Sequence, residues 1–397
     1  LVEKPIFSLE IIAENKVKYK KKVRSTMKRF IFFALMPALV LLPCLMSYAD
    51  VTLLDTEKNK LQFYGFFKLD AAYQDGGVNG LTFPRYAAPG DGNLYLTATH
   101  TRFGIKYAGV PLSNGMNVAA VLEWDFFDST SPNQMKPRFR QGYFTLQKKS
   151  HTLLFGQAWD LFSPLGPTTL MINGYLWQTG NLGFRHAQVR YAYSAPRFDL
   201  ALSVNDPATT GGWAALMPVL QGRLGFKLGA NNKFQLGLSG IYGRENARTN
   251  LEFLGDFKDK VNIAGASIDW NLAICKLLAL KGEYARGENL SYVASRANFL
   301  FDLNLEKHVA KEVSSFWSEL LLTKNKFSAW LGYAFEDLLQ QTNPGETKKT
   351  SCLLAGVQFA AGSGVSFGLE FAFFSTVAPV REPPKTNQVM FSAMLTI

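Results

Sequence analysis

The chain has 397 residues, of which 47% are hydrophobic, 14% aromatic and 18% charged. The low charge and the many aromatic residues exclude a disordered chain, and the length suits one large domain or two ordinary ones. After residue 50 no run of 18 apolar residues occurs, so the sequence predicts no membrane-spanning helix there. A bilayer protein with this composition would have to be a β-barrel.

Residues 27–49 have the layout of a secretory signal peptide. The basic stretch Met27-Lys-Arg29 precedes an apolar run, and Ser47-Tyr-Ala49 offers small residues for cleavage before Asp50. We interpret residues 1–26 as a non-native or leader segment. Without the first 49 residues, 33 Lys/Arg remain against 28 Asp/Glu, so the net charge falls from +11 to +5. More than half of the net positive charge therefore lies in the first 49 residues, and no nucleic-acid partner is expected.

From residue 61 onward, segments of about ten alternating residues are separated by turn-rich connections, which is the pattern of a transmembrane β-barrel. The nine residues 389–397 alternate strictly, and we expect this strand to close against the first. The expected fold class is all-β, a transmembrane antiparallel up-and-down β-barrel of 16 strands over residues 61–397, preceded by a short periplasmic segment, 50–60. The candidate strands start near residues 61, 93, 116, 137, 152, 184, 197, 219, 233, 260, 277, 313, 326, 350, 365 and 387.

The connections between these candidate strands alternate between short and long. Short periplasmic turns and long extracellular loops produce this rhythm in outer-membrane barrels, and an even strand number leaves both ends of the barrel on the periplasmic side. The sequence thus predicts a protein of the outer membrane of a Gram-negative bacterium, surrounded by outer-membrane lipid. The long connections are expected at residues 75–92, 160–183, 205–218, 244–259 and 286–312.

Charged residues fall on the strand face opposite to the apolar one and are expected to line the lumen. A charge on the lipid side would cost several kcal/mol, whereas a charged lumen holds water and offers a path to polar solutes. Two interpretations stay open: a basic ladder that favours small anionic solutes such as carboxylates, or cross-strand ion pairs that stiffen the wall. The candidate pore-lining residues are Arg102, Glu123, Asp125, Arg138, Arg140, His186, Arg190 and Arg223.

The long connection 160–183 is unusually apolar for a solvated loop. We interpret it as folded inward, with Asp160, Phe162 and Trp177 forming a constriction. The alternative is an outward loop that packs on its neighbours or on another protomer.

Six sequence blocks, in this order, resemble those of the DcaP-like outer-membrane porins. This resemblance implies 16 strands, a homotrimer, uptake of dicarboxylates and related small anions, and lumen arginines at Arg102, Arg138, Arg140 and Arg190. It covers roughly residues 63–204, and the C-terminal half matches only as a generic barrel. The blocks are Phe67-Lys-Leu-Asp-Ala-Ala-Tyr73, Thr101-Arg-Phe-Gly-Ile-Lys106, Glu123-Trp-Asp-Phe-Phe127, Arg138-Phe-Arg-Gln-Gly-Tyr143, Gly156-Gln-Ala-Trp159 and Gln188-Val-Arg-Tyr191.

The sequence favours a porin, a passive channel, over two other classes of barrel. An outer-membrane enzyme would need a nucleophile and a base, yet the four histidines stand without a recognisable serine or cysteine partner motif. An adhesin or receptor would have a plugged lumen and longer outer loops. No enzyme activity, cofactor or metal is expected, and the barrel-assembly machinery is the expected partner in membrane insertion.

Overall fold

The computed structural model describes residues 51–397 except 57, 81, 128–135, 172–175, 208, 211–212, 215–216, 230–232, 252–254, 303–304, 306, 341–345 and 379–383. The predicted leader and signal peptide lie outside the described residues. No helix in the described part is long and apolar enough to cross a membrane.

The fold is a closed antiparallel β-barrel of 16 strands, as predicted, and each strand lies at a predicted position. The strands are β1 (Lys60–Val78), β2 (Ala87–Thr97 and Arg102–Gly109), β3 (Asn117–Asp125), β4 (Arg138–Lys148), β5 (His151–Trp159), β6 (Arg185–Ser194), β7 (Phe198–Asn205), β8 (Val219–Leu228), β9 (Phe234–Leu251), β10 (Gly255–Ala273), β11 (Leu278–Glu288), β12 (Glu312–Lys324), β13 (Phe327–Leu338), β14 (Lys349–Gly362), β15 (Val365–Val377) and β16 (Lys385–Thr396).

The barrel closes where the last strand meets the first. In the antiparallel register of β16 with β1, Thr396 lies opposite Phe66 and Gln388 opposite Gln74. Each remaining strand pairs with its neighbour in sequence, so the barrel has no free sheet edge along its wall. Closure satisfies the backbone hydrogen bonds without water, which a bilayer requires.

The barrel wall is apolar outside and polar inside. On β1, Phe67 and Leu69 are 52% and 45% exposed, whereas Lys68 and Asp70 between them are buried. Large apolar side chains are exposed in the same alternating way on the other strands, for example Leu238 on β9 and Leu369 on β15. Burial in lipid explains this row of exposed apolar side chains, because it would be an aggregation surface in water.

Two connections differ from their predicted bounds. The predicted connection 244–259 consists largely of strand, because β9 and β10 pair all the way from Phe234 opposite Leu272 to Leu251 opposite Gly255. Charged residues broke the apolar alternation there, but the hydrogen-bonded ladder continues beyond the apolar belt. The connection 75–92 is shorter than predicted for the same reason, since β1 runs to Val78.

The other long connections carry small elements of their own. A two-residue hairpin, Thr209–Thr210 with Trp213–Ala214, follows β7. A 3-10 turn, Leu290–Val293, and a hairpin of Phe299–Asp302 with Lys307–Ala310 follow β11. All of these lie at the end of the barrel opposite the tight turns.

A short N-terminal strand, Val51–Asp55, pairs antiparallel with the start of β1. It covers the part of the β1 edge that β16 does not reach, since Val51 lies opposite Phe63 and the last pair of β16 is Phe66 with Thr396.

We expect substitution of outward-facing Leu238 by Arg to destabilise the barrel by about 2–4 kcal/mol, because a guanidinium at the bilayer midplane is poorly solvated. Leu238 lies in the middle of the outward row of β9 and is 51% exposed. The measurement is denaturant-induced unfolding in phospholipid vesicles. Leu228→Arg at the tight-turn rim is the control and should cost about 0–1 kcal/mol. Equal losses for the two variants would contradict the assignment of the lipid-facing row.

Candidate functional site: the barrel lumen

The segment between β5 and β6 lies inside the barrel and follows its inner wall. Its first backbone amides point at β8 and β9: Leu161 N and Phe162 N both donate to Gln221 Oε1, at 2.8 and 3.0 Å. Ser163 N donates to Ser239 Oγ at 3.3 Å. We call residues 160–184 the inward segment.

Three glutamates on the inner wall accept the next amides of the inward segment. Leu165 N donates to Glu283 Oε1 at 2.7 Å, and Thr168 N donates to Glu319 at 2.8 Å. Leu170 N donates to Glu370 Oε2 at 3.0 Å. These glutamates lie on β11, β12 and β15, so the segment crosses about half of the wall and is held at each step.

Side chains of the wall and of the inward segment complete the binding of these carboxylates. Glu283 also accepts hydrogen bonds from Ser163 Oγ at 2.6 Å and Trp317 Nε1 at 3.0 Å. Glu370 accepts one from Trp330 Nε1 at 3.0 Å. Because a buried amide without an acceptor costs about 1–3 kcal/mol, each carboxylate stabilises the inward position of the segment.

The apolar residues of the inward segment form a core inside the barrel. Leu170, Met171, Leu176 and Trp177 are buried there. Gly180 has φ +115°, and a Cβ at this position would overlap the carbonyl oxygen of Phe316 on β12. The wall residues of this core come mainly from β12 to β16: Trp317, Trp330, Ala334, Cys352, Leu354, Ala372, Phe374 and Met390.

A second segment also folds into the mouth of the lumen, and sequence analysis missed it. In residues 289–298, Leu290, Val293 and Ala297 are fully buried. Gly183 N of the inward segment donates to Val293 O at 3.0 Å. Buried Arg296 forms an ion pair with Glu336 of β13, with Nε and Oε1 3.0 Å apart. The signal was present, since Leu290-Ser-Tyr-Val293 is apolar for an exposed loop.

The structure brings together four of the predicted pore-lining residues on β3 and β4. Arg138 forms a bidentate ion pair with Asp125: Nε donates to Oδ1 at 2.9 Å and Nη2 donates to Oδ2 at 2.7 Å. Arg140 bridges Glu123 Oε1 at 2.7 Å and Asp125 Oδ2 at 2.8 Å, and it is only 1% exposed. The charges of Arg138 and Arg140 are therefore balanced by carboxylates of the wall. This arrangement matches the second interpretation of the sequence, in which cross-strand ion pairs stiffen the wall.

Arg223 and Arg102 are also held by the wall. On β8, Arg223 pairs with Asp269 of β10, with Nη2 2.7 Å from Oδ1. On β2, the Arg102 guanidinium lies 5.4 Å from the centre of the Phe66 ring.

Arg185 and Arg190 on β6 are held differently, with no carboxylate within 4 Å among the described residues. The Arg185 guanidinium lies 4.4 Å from the Trp159 ring centre, 5.1 Å from Phe184 and 6.0 Å from Trp177. Arg190 Nε donates to Gln188 Oε1 at 2.9 Å, and Arg190 also donates to the carbonyl oxygen of Trp159. Cation–π contacts fix a guanidinium without cancelling its charge.

Asp160 ties the two ends of the inward segment together. Its carboxylate accepts hydrogen bonds from Phe184 N at 3.1 Å and Asn205 Nδ2 at 3.0 Å, and lies 3.0 Å from His186 Nδ1. The His186 ring stacks on Tyr292 of the second segment, with centres 3.9 Å apart. Burial raises the pKa of the Tyr292 phenol far above its usual range, so it remains a neutral donor to Asp206 O at 2.7 Å.

Two cavities lie on either side of Trp177. The larger, about 500 Å³, is lined by the inward segment together with Trp159, Arg190 and Arg223. The smaller, about 350 Å³, is lined by residues of the long connections, including Arg85, Asp206 and Tyr292. Trp177 lines both, whereas Phe162 is fully buried against the wall and does not face either cavity.

The two sides of the lumen differ in their charged groups. Glutamates on the β11–β15 side are occupied by backbone amides, whereas the β2–β8 side carries arginines beside the larger cavity. Sequence analysis missed Arg185, Glu319 and Glu370. Arg185 was missed because it falls on the same, outward-facing set of alternate positions as Val189. Glu319 and Glu370 were missed because the alternation does not distinguish a glutamate that holds a loop from one that faces solvent.

The fold resembles that of solved outer-membrane channels. The outer membrane channel DcaP of Acinetobacter baumannii superposes with a TM-score of 0.72 at 17% identity, over 86% of this chain and 99% of that chain. The anion-selective porin from Comamonas acidovorans has a TM-score of 0.59 at 14% identity, over 86% and 100%. The trimer form of OmpT, an outer membrane protein of Vibrio cholerae, has a TM-score of 0.58 at 11% identity, over 86% and 100%.

No protein-family model and no curated protein matches the sequence. At these identities the likeness concerns the fold. At that level it confirms both the predicted resemblance to DcaP-like porins and the outer-membrane type of barrel.

We expect Glu283→Ala to loosen the inward segment, because it leaves Leu165 N and Trp317 Nε1 without an acceptor. A loss of about 1–3 kcal/mol corresponds to amide exchange that is about 5-fold to 150-fold faster. Hydrogen–deuterium exchange of residues 161–170 measures this. Gln358→Ala, which removes a lumen amide that bonds only Ser366 among the described residues, is the control. Unchanged exchange in the Glu283 variant would show that the carboxylate does not hold the segment.

Proposed function

We propose that this chain is an outer-membrane porin that forms a water-filled channel for passive diffusion of small polar solutes and favours anions such as dicarboxylates. The observation that carries the proposal is the pair of arginines without a carboxylate partner, Arg185 and Arg190, beside the 500 Å³ cavity. Arg190 lines that cavity directly. Arg185 rests on Trp159 and Trp177, which line it as well.

The distribution of charge supports a preference for anions. Glu123, Asp125 and Asp269 are each bound by an arginine of the wall. Glu283 and Glu370 accept hydrogen bonds from the inward segment. These five acidic groups are thus bound by other groups of the protein. Arg190 faces the larger cavity with no carboxylate within 4 Å among the described residues, and Arg185 adds a second positive charge in the wall beside it.

Guanidinium groups also suit the proposed solutes chemically. A planar guanidinium presents paired donors that match the two oxygens of a carboxylate. Aromatic contacts hold Arg185 in place, so little side-chain entropy would be lost when a solute passes. Residues that touch the solute only transiently favour passage over tight retention.

Assembly as a homotrimer is part of the proposal. The apolar outer wall provides a surface for neighbouring barrels as well as for lipid, and one structure with the same fold is described as a trimer form. Insertion by the barrel-assembly machinery would follow from the outer-membrane location.

We expect the double variant Arg185→Gln/Arg190→Gln to lose most of the preference for anions, because one positive charge leaves the larger cavity and a second leaves the wall beside it. The measurement is the reversal potential of the reconstituted channel under a KCl gradient. Lys227→Gln is the control: it removes a lumen cation that is paired with Asp199 near the tight turns, and should change the potential little. A preference of the unmodified channel for cations would overturn the proposed selectivity. Absence of conductance would overturn the proposal that the chain is a porin.

Deleting residues 168–178 should raise single-channel conductance severalfold, because the deletion removes Leu170, Met171, Leu176 and Trp177 from the lumen. Conductance in planar bilayers measures the effect. Trp177→Ala should give a smaller rise in the same direction. If both variants conduct like the unmodified chain, the inward segment does not form the constriction.

A further inference from the structure

The hairpin of β9 and β10 extends beyond the apolar belt of the barrel. On β9 the outward row is apolar from Phe234 through Leu238 to Tyr242, a stretch of nine residues. A tilted strand of about 9–11 residues spans a bilayer. The residues after Tyr242 therefore lie above the hydrocarbon, on the side of the long connections, where lipid headgroups begin.

The outward positions immediately above Tyr242 are basic and amide residues. Arg244 lies opposite Asn262, and Asn246 lies opposite Lys260. Arg244 and Lys260 are exposed, and Arg244 Nε donates to Asn262 Oδ1 at 3.2 Å. We call these four residues the outward basic patch.

Two acidic residues close to the patch in sequence, Glu245 and Asp259, have the opposite, inward parity. Glu245, on the inward face, is buried and accepts a hydrogen bond from Asn289 Nδ2 at 3.0 Å. Asp259 accepts hydrogen bonds from the backbone N and ring of His308. No carboxylate lies within 4 Å of Arg244 or Lys260 among the described residues, so the patch keeps its charge.

We propose that the outward basic patch binds the phosphate groups of lipid A in the outer leaflet. The patch faces sideways, continues the lipid-facing row of β9 and β10, and lies at headgroup level. Tyr242 below it is outward-facing, as in the aromatic girdle of such barrels. Two cations flanked by amide donors suit a phosphate monoester, which carries up to two charges and accepts several hydrogen bonds.

The position of the patch favours a lipid over a soluble polyanion. A soluble partner would have to displace headgroups to reach residues directly above the hydrocarbon belt. A lipid phosphate lies at this depth without displacement, and electrostatic attraction adds to the contact of its acyl chains with Leu238 and Ile268, which are both exposed on the outer face. The proposed lipid site depends on the orientation of the barrel in the membrane and not on which solutes the pore prefers.

The test measures the binding of lipid A to the full barrel in detergent by native mass spectrometry. We expect the double variant Arg244→Gln/Lys260→Gln to bind lipid A at least about tenfold more weakly than the unmodified barrel. The control pair Lys233→Gln/Lys276→Gln changes two exposed lysines in the tight turns next to β9 and β10 and should bind normally. Phosphatidylglycerol tests for a general preference for anionic lipids.

Each outcome decides the proposal. Weaker binding of the patch variant alone, together with weak binding of dephosphorylated lipid A to the unmodified barrel, supports it. Equal binding of the patch variant, equal loss in the control pair, or equal binding of phosphatidylglycerol overturns it. The comparison of phosphorylated with dephosphorylated lipid A needs no variant, so the proposal remains testable if the variant fails to fold. The patch variant should conduct like the unmodified barrel. A loss of lipid A binding with normal conductance then concerns the lipid site alone and leaves the proposed pore function untouched.

Discussion

The structure depends on one constraint: every backbone amide and carbonyl in the hydrocarbon layer must find a partner within the protein. A ladder that closes on itself meets it, and the register of β16 on β1 provides the closure. Once the wall is closed, period-two alternation assigns each side chain to lipid or lumen. The exposed row of Phe67 and Leu69, with buried Lys68 and Asp70 between them, is the consequence on a single strand.

The same requirement acts again on the segment that enters the lumen. Its amides leave bulk water, and Glu283, Glu319 and Glu370 of the wall supply the acceptors. This use of the carboxylates changes the electrostatics of the passage. Some acidic groups of the wall accept backbone donors, and others are paired with Arg138, Arg140 and Arg223. Among the described residues, Arg190 lines the larger cavity with no carboxylate within 4 Å, and Arg185 is buried beside that cavity.

Sequence analysis predicted what depends on local periodicity and missed what depends on distant contacts. All 16 strands were placed correctly, because each carries its own alternating pattern and turn residues. The extension of β9 and β10 was not predicted, since Arg244 and Lys260 interrupt the apolar row while the hydrogen-bonded ladder continues. The role of Glu370 could not be derived, because Leu170 and Glu370 meet across 200 positions in the chain. The second inward segment was missed although its apolar residues offered a signal. Arg185 has outward parity, yet its contacts with Trp177 and Phe184 hold it among inward residues.

The partition of side chains between lipid and lumen is tested most directly along β9. Single cysteines at positions 234 to 242, in a background without Cys275 and Cys352, would carry a fluorophore in reconstituted vesicles that contain lipid-borne quenchers. The account predicts strong quenching at even positions such as 236 and 238, and weak quenching at odd positions such as 235 and 239. The opposite parity, or quenching without a period of two, would contradict it.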